Sequence, residues 1–403
     1  MLSEDTIDKL LQPILYRQEQ INTYVILKIA KRVKEIGHLL PSDVYKLERL
    51  LKSGNDVREI NKEIARLTGL NEAQIKVLIK NIAVDAYKDA KPFFDYRHKA
   101  YIPFTRNEPL QRIVRAVARQ TVNTYMNLSN ARAFMLRDPK DRTKLVPTSL
   151  SKTYYNVVDK AIQAVQSGTV DYNTMMRKTM EELANKGIVT ITYDPESGKP
   201  YAQSMEAAVK RNILDGVRQV SQQVQDEIGK QFGADGKEIS VHEMSAPDHE
   251  PIQGHQFTNE EYEKLQNEEP FEDVDGQKFI SIARAIGEYN CRHFTYSIVI
   301  GVNKPNFTKT QLQEYIKRNH KGYTDTSGKH RTLYECSQEQ RRMEREIRKA
   351  TQTVMLGRAS GDSALEQKGK SKLYKSQSIY REFSKACGLK QRPENVKVAG
   401  WQR

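Results

Sequence analysis

The chain has 403 residues, a formal net charge of +14, 38% hydrophobic residues and 29% charged residues. This low hydrophobic content favours long solvated helices over one thick sandwich, and no apolar run approaches the roughly 20 residues that a membrane-spanning helix needs. The start MLSEDTIDKL is acidic where a secretion signal is basic, and three widely spaced cysteines do not read as a disulfide framework. We therefore expect a cytoplasmic protein with reduced thiols.

The charge is distributed in three segments. Residues 1–234 carry a net charge of +10, residues 235–303 carry −9, and residues 304–403 carry +13. Basic segments on both sides of an acidic one suit contacts with nucleic acid or with acidic protein surfaces. Solvated lysine-rich helix faces are the alternative, since no groove-reading motif is present.

The N-terminal part of the chain has helical periodicity. A first helix is predicted to end before Pro41, a second to begin at Ser42, and two more to cover 56–67 and 71–89, with Gly69 between them. Short loops of this kind are typical of antiparallel helices. The apolar stripe of the first helix consists of Ile14, Leu15, Ile21, Val25, Ile29, Val33 and Ile36.

Segment 91–109 interrupts this pattern with three prolines and several aromatic residues. Aromatic residues beside prolines are predicted to cap a helical core, with a partner-binding loop as the alternative. A helix is then predicted over 110–136, on which Arg112, Arg115 and Arg119 share one face as a cationic stripe.

The middle of the chain mixes helix and strand. A polar loop is predicted between Pro139 and Pro147, and Ser149 and Asp171 are predicted to cap helices. A small hairpin is predicted near 188–201, because IVTITY alternates β-branched residues and DPESGKP is a turn. A long helix follows to about residue 232.

From residue 235 the pattern changes to α+β, with short strands predicted over 238–244 and 297–302 and loop between them. Helix is predicted again from Ser337, which forms a capping-box pattern with Gln340. The Gly-, Ser- and Lys-rich stretch 357–375 is interpreted as mobile, or ordered only on a partner.

These elements predict a mainly α fold with a small α+β module. The expected domains are an extended helical N-terminal region (1–234), a central, loop-rich, acidic module (235–325) and a basic helical C-terminal region (326–403). Within the basic C-terminal region, the candidates for nucleic-acid contact are Arg341, Arg342, Arg345, Lys370 and Lys372.

Two blocks concentrate the reactive side chains: SAPDHEPIQGHQF at 245–257 and GEYNCRHF at 287–294, with His242 just upstream. Short-spaced His and Cys are zinc ligands, which makes His249, His255, Cys291 and His293 conceivable ligands. However, Cys-x-His lacks the two intervening residues of a usual knuckle, so no metal and no cofactor are predicted.

Other chemistries fit the blocks no better. A Cys291 nucleophile with a histidine base lacks a flanking elbow or a partner acid, and the spacing does not specify an HNH-like ion site. No catalytic residue is therefore assigned. The favoured hypothesis is that polar side chains brace two facing loops by bonding to their backbones. This cluster comprises Ser245, Asp248, His249, Gln253, Gly254, Asn290, Cys291, Arg292 and His293.

The order Ser-Ala, Asp-His, Pro-x-Gln-Gly in the first block and Gly-x-x-Asn-Cys-Arg-His in the second, followed by Gly301, resembles the phage minor capsid protein type 2 family, which is related to phage head morphogenesis proteins. Segments 334–350 and 380–389 also resemble that family's C-terminal helices. One departure is that Ala246 leads directly to Pro247, where the family commonly inserts Gly-Ala-Arg.

The resemblance implies a structural minor head protein of a tailed bacteriophage, acting in head morphogenesis near the portal vertex. The implied partners are the portal protein, the major capsid protein and packaged double-stranded DNA, without a membrane, and residues 1–234 would dock on the portal or capsid. The implied location is the capsid interior or portal vertex of the virion, and the host cytoplasm during assembly. Because related central domains are fused to toxins, the alternative is a metal-dependent nuclease or toxin-like hydrolase that uses the His/Cys cluster.

Overall fold

The structure is a computed structural model that describes residues 4–38, 54–88, 90–138, 140–141, 143–167, 172–193, 198–282, 284–287, 291 and 293–401. It is mainly α with small antiparallel sheets, as predicted. The chain forms two compact units: one comprises Met1–Leu11, Ala73–Thr124 and Arg211–Glu339, and the other comprises Gln12–Glu72, Tyr125–Lys210 and Gln340–Arg403. The functional division of the chain at residues 234 and 325 stays a prediction.

The described helices, in chain order, are α1 (Glu4–Gly37), α2 (Asn55–Lys88), α3 (Lys91–Tyr96), α4 (Glu108–Asn130), α5 (Leu150–Ser167), α6 (Tyr172–Lys186), α7 (Met205–Phe232), α8 (Asn259–Gln266), α9 (Lys309–Lys321), α10 (Leu333–Ser360), α11 (Ser363–Ala386) and α12 (Pro393–Val396), with a 3-10 turn at Phe104–Arg106. The described strands are β1 (Arg132–Arg137), β2 (Leu145–Ser149), β3 (Val189–Tyr193), β4 (Pro200–Ser204), β5 (Gly236–Ile239), β6 (Gln256–Thr258), β7 (Phe271–Glu272), β8 (Lys278–Phe279), β9 (Thr295–Ile298), β10 (Tyr323–Thr324) and β11 (His330–Arg331). Within this described part of the chain, no helix combines the length and apolar character needed to cross a bilayer.

The predicted apolar stripe of α1 is buried. Ile14, Ile21 and Ile29 are fully inaccessible to solvent, and the other predicted positions are at most 9% exposed. Full burial of an aliphatic side chain contributes roughly 1.5–3 kcal/mol, so this stripe holds α1 in place. The helix predicted to begin at Ser42, and Pro41 before it, lie outside the described residues.

The prediction of two helices separated at Gly69 was wrong, because α2 runs through this residue without a break. A glycine costs a helix about 1 kcal/mol relative to alanine. That cost is small beside the burial of Leu67, Ile75 and Leu78 on the same helix. Packing therefore overrides the local helix-breaking signal.

The aromatic segment 91–109 belongs to a core, as predicted. Phe93 stacks on Phe232 with ring centroids 5.2 Å apart, and Tyr87 stacks on Tyr101 at the same distance. Phe94 is buried and meets Phe232 and Tyr101 edge-on. Such aromatic pairs add roughly 0.5–1.5 kcal/mol beyond the area they bury.

The helix predicted over 110–136 was wrong after Asn130, where the chain turns into β1. Strand β1 lies inside a four-stranded sheet of order β2-β1-β3-β4. The polar loop predicted up to Pro147 was also wrong, because Pro147 lies on the outer strand β2, opposite Met135. A short apolar run such as RAFML cannot be assigned to helix or strand by periodicity alone.

Two other local predictions in this region were confirmed. Strands β3 and β4 pair antiparallel, from Val189 with Ser204 to Tyr193 with Pro200, as the predicted hairpin requires. The side chain of Ser149 accepts a hydrogen bond from the Lys152 amide at the start of α5 and so caps it. Asp171, the other predicted cap, lies outside the described residues.

The acidic module is built on a three-stranded sheet of order β6-β5-β9. The predicted strand 238–244 is shorter and earlier, since β5 ends at Ile239, and the strand predicted over 297–302 is also earlier, at β9. The module has an apolar core of its own, in which Ile252, Phe257 and Leu265 are fully buried. Its loops are therefore held against a core as well as by polar bonds.

The capping box predicted for the C-terminal helix α10 was assigned to the wrong residues. Its capping box is formed by Thr332 and Glu335, each of which bonds the backbone amide of the other, rather than by Ser337 and Gln340. Gln340 instead donates to the Ser384 hydroxyl at 3.0 Å.

The stretch 357–375, predicted to be mobile, is helical on either side of the turn between α10 and α11. Two of its three glycines, Gly357 and Gly369, lie where the two helices cross. A Cβ on Gly357 would lie 2.5 Å from the Glu366 amide nitrogen, and one on Gly369 would lie 2.8 Å from that of Val354. These glycines permit close backbone approach, so here a composition typical of disorder has a packing role.

Candidate functional site

The two sequence blocks meet at the end of β5. The Ser240 amide donates to the Phe294 carbonyl at 2.8 Å, and the Gly254 amide donates to the Ile239 carbonyl at 2.9 Å. Gly254 has a φ of +77°, and a Cβ there would lie 2.6 Å from Leu312 Cδ2. Only glycine allows this turn, which brings the first block beside the second.

Three potential ligands converge between the blocks. Cys291 Sγ lies 3.4 Å from His249 Nδ1 and 3.6 Å from His293 Nδ1. Both histidines are buried, with 1% and 2% exposure, and Cys291 is half-buried. Their ligand atoms all lie within 4.8 Å of one another.

His249 is oriented by the backbone opposite it. Its Nε2–H donates to the Arg284 carbonyl at 2.9 Å, which fixes the tautomer because a carbonyl can only accept. Nδ1 therefore directs its lone pair towards the sulfur. The side chain of Arg284 is held in turn by Asp248 through two bonds of 2.6 and 2.8 Å.

His293 is enclosed by polar neighbours. Its Nε2 lies 3.5 Å from Ser245 Oγ, and its ring centroid is 4.2 Å from that of His242. Burial, together with the charges of His242 and His249, lowers the pKa of His293 well below its ordinary value. This imidazole is therefore neutral near pH 7.

Cys291 and His249 influence each other's protonation. Burial raises the pKa of Cys291, but the hydrogen bond and charge of His249 outweigh it, so the pKa lies below its ordinary value. Burial lowers the pKa of His249, and the bond and charge of Cys291 reverse that effect and raise the pKa. Transfer of the thiol proton to the lone pair of His249 Nδ1 is thereby favoured, which gives the sulfur thiolate character, the form that attacks electrophiles and binds metals.

Of the four conceivable metal ligands, His255 does not lie here. Its Nδ1 lies 2.6 Å from an Asp273 carboxylate oxygen. Gln253 accepts a hydrogen bond from the His242 amide at 3.2 Å. Asn290 and Arg292 lie outside the described residues.

Sequence reasoning missed Arg284 and Glu250. Arg284 is one of five basic residues in segment 235–303, and its spacing in the sequence does not distinguish it from the others. Glu250 is 7% exposed and accepts from Asn319 at 2.6 Å while pairing with His320 at 2.7 Å, which ties the first block to α9. No local pattern signals that contact.

The family model described as Phage minor capsid protein 2 matches residues 2–385. The chain belongs to the phage minor capsid protein 2 family. The resemblance seen in the two blocks is thereby confirmed, and the protein is a structural component of a phage capsid and so of the virion. No curated protein and no solved structure matches the chain.

The basic side chains of this minor capsid protein differ in how they are paired. On α11, Lys370 lies 2.7 Å from a Glu366 oxygen, and Lys372 lies 3.2 Å from a Glu346 oxygen. On α10, Arg342 and Arg345 are exposed and Arg341 is half-buried.

The predicted arginine stripe on α4 is exposed at all three positions, Arg112, Arg115 and Arg119. Within the described residues, none of the three makes an ion pair or hydrogen bond. The opposite face of the helix is buried at Leu110, Val114 and Val117. The stripe is thus a cationic surface on a firmly packed helix.

Proposed function

We propose that this minor capsid protein acts in head morphogenesis at the portal vertex, where it contacts the portal and major capsid proteins and packaged double-stranded DNA. The observation that carries the DNA contact is the row of exposed arginines on α4, here called the arginine row: Arg112, Arg115 and Arg119. Family membership supports the capsid role, and the basic segments on either side of the acidic module support an acidic partner.

The spacing of the arginine row suits a phosphate backbone. Positions separated by three and four residues lie on one helix face, and seven residues span about 10 Å at 1.5 Å per residue. Guanidinium groups bind phosphate oxygens through paired N–H donors. Because the arginines have no carboxylate partner among the described residues, they can bind phosphate without breaking an ion pair.

The C-terminal candidates contribute less in this proposal. Lys370 and Lys372 each face a carboxylate at ion-pair distance, so a phosphate has to displace that carboxylate. Arg341, Arg342 and Arg345 on α10 are further candidate contacts in this proposal. The arginine row is therefore the principal contact.

The salt dependence of DNA binding tests this ranking. Each phosphate neutralised contributes about 0.9 to the slope of log affinity against log salt concentration. We expect a variant with Arg112, Arg115 and Arg119 replaced by Gln to lose about 2.7 from that slope. Fluorescence anisotropy with a labelled duplex, between about 50 and 200 mM salt, measures it.

A matched control removes the same charge from elsewhere. Lys368 pairs with Glu181 at 2.8 Å, so replacement of Lys368, Lys370 and Lys372 by Gln removes three cations that are all ion-paired. We expect this control to change the slope by less than about 1. Equal slopes for the two variants would contradict the role of the arginine row.

The assembly role is tested with capsid components. Purified full-length protein is mixed at low ionic strength with portal rings and with major capsid protein, and co-sedimentation is measured. Binding to the portal supports the vertex location, and labelled protein imaged at one vertex of the particle confirms it. If the protein bound neither capsid component nor DNA, the proposal would be refuted.

A further inference from the structure

We infer that His249, Cys291 and His293 form a binding site for a single zinc-class divalent ion that cross-links the two loops of the acidic module. Forty-two residues separate Cys291 from His249, so the ion would close a long segment of chain. This site is independent of the arginine row.

The two sulfur–nitrogen separations in the cluster match those of a tetrahedral zinc site. With a Zn–S bond of about 2.3 Å and a Zn–N bond of about 2.05 Å, sulfur and nitrogen ligands lie about 3.6 Å apart. In the structure, Cys291 Sγ lies 3.4 Å from one imidazole Nδ1 and 3.6 Å from the other. Cys291 therefore lies at the separation from each histidine that a shared ion requires, and the three ligand atoms all lie within 4.8 Å of one another.

The outer contacts of His249 are those of a metal ligand. Metal-binding histidines almost always donate the second ring N–H to a carbonyl or carboxylate, which fixes the ring and directs the other lone pair at the ion. His249 does this through the Arg284 carbonyl. The Asp248 carboxylate then holds the Arg284 side chain, so the carbonyl is itself supported by the bidentate pair.

The ligand types select the ion. Thiolate and imidazole favour zinc and its neighbours, whereas magnesium and calcium take oxygen ligands. Three protein ligands leave a fourth tetrahedral position for a water or for a further side chain. His255 is not that ligand, because it faces Asp273 at 2.6 Å.

A metal-free alternative uses the same atoms. In it, Ser245 donates to His293, His293 donates to the sulfur, and the thiol donates to His249, all at 3.4–3.6 Å. The two arrangements differ in one measurable respect. Only the metal site gives a sulfur-to-metal charge-transfer band.

The experiment uses the full chain, purified without chelator. We expect close to one equivalent of zinc per chain by elemental analysis. After zinc removal and addition of Co²⁺, we expect a thiolate-to-cobalt charge-transfer band and the strong visible bands of tetrahedral cobalt. Mg²⁺ should neither produce a signal nor compete.

Two cysteine variants test whether Cys291 supplies the thiolate ligand. Cys291→Ser removes a ligand and should abolish the charge-transfer band, whereas Cys387→Ser alters a buried thiol at the end of α11 and should retain it. Circular dichroism confirms that each variant is folded. Absence of the band in the unmodified protein, or its persistence in Cys291→Ser, would overturn the inference and assign the cluster to hydrogen-bonded bracing.

Discussion

The crossing of α10 and α11 gives a quantitative prediction for one substitution, Gly357→Ala. The new Cβ would meet the Glu366 amide nitrogen at 2.5 Å and its Cα at 2.7 Å. Both are backbone atoms of α11, so the clash cannot be relieved by turning a side chain. Inserting a methyl group into a packed contact of this kind costs roughly 1–3 kcal/mol.

Gly69→Ala is the matched control, because Gly69 also lies inside a helix but has no atom within 4 Å of the new Cβ. Alanine gains about 1 kcal/mol over glycine in either helix. This propensity gain cancels when the two variants are compared. The difference in free energy of unfolding between them should therefore equal the packing cost, roughly 1–3 kcal/mol.

Urea denaturation followed by circular dichroism measures both values. We expect Gly69→Ala to unfold at a higher urea concentration than the unmodified protein and Gly357→Ala to unfold at a lower one than Gly69→Ala. If both variants were stabilised by the same amount, the close approach of the two helices at Gly357 would be refuted.

Three further predictions concern other polar groups. Burial raises the pKa of Glu19 to about 7, so its contribution to stability is present below its ordinary pKa of 4.5 and is lost as pH rises through 7. Glu19→Gln should remove this pH dependence of the free energy of unfolding, which amounts to about 3 kcal/mol, as measured by urea denaturation at each pH. Tyr154 donates to Asp56, and Tyr154→Phe should lower the free energy of unfolding in urea by about 1–3 kcal/mol because the carboxylate loses a donor. Asp248→Asn weakens the clamp on Arg284 and should reduce zinc affinity about 10–100-fold in a chelator competition titration, whereas unchanged affinity would argue against that outer contact.

The sequence predicted those helices and strands whose formation depends on residues close together in the chain. The α1 stripe and the β3–β4 hairpin follow from side-chain periodicity and turn residues, and both were confirmed. Glycine shows where such signals fail. Gly69 was interpreted as a break and Gly357 as part of a mobile tail, yet both are helical. The difference between them lies in what packs against each position, and no local pattern encodes that.

The candidate site was predictable in composition but not in geometry. The two blocks were recognised from their residue types, and the family resemblance from their order. Which histidine faces Cys291 depends on the pairing of β5 with β6 and β9. His249 and His255 are six residues apart in one block, yet one contacts the thiol and the other an aspartate. Only the strand pairing in the folded protein determines which of the two histidines faces Cys291.

The four-stranded sheet carries a proline on each of its outer strands: Pro147 on β2 and Pro200 on β4. A proline lacks the N–H that an incoming strand would need, and natural proteins use this to block edge-to-edge aggregation. This sheet is accordingly poor at templating a strand from a second copy of the chain.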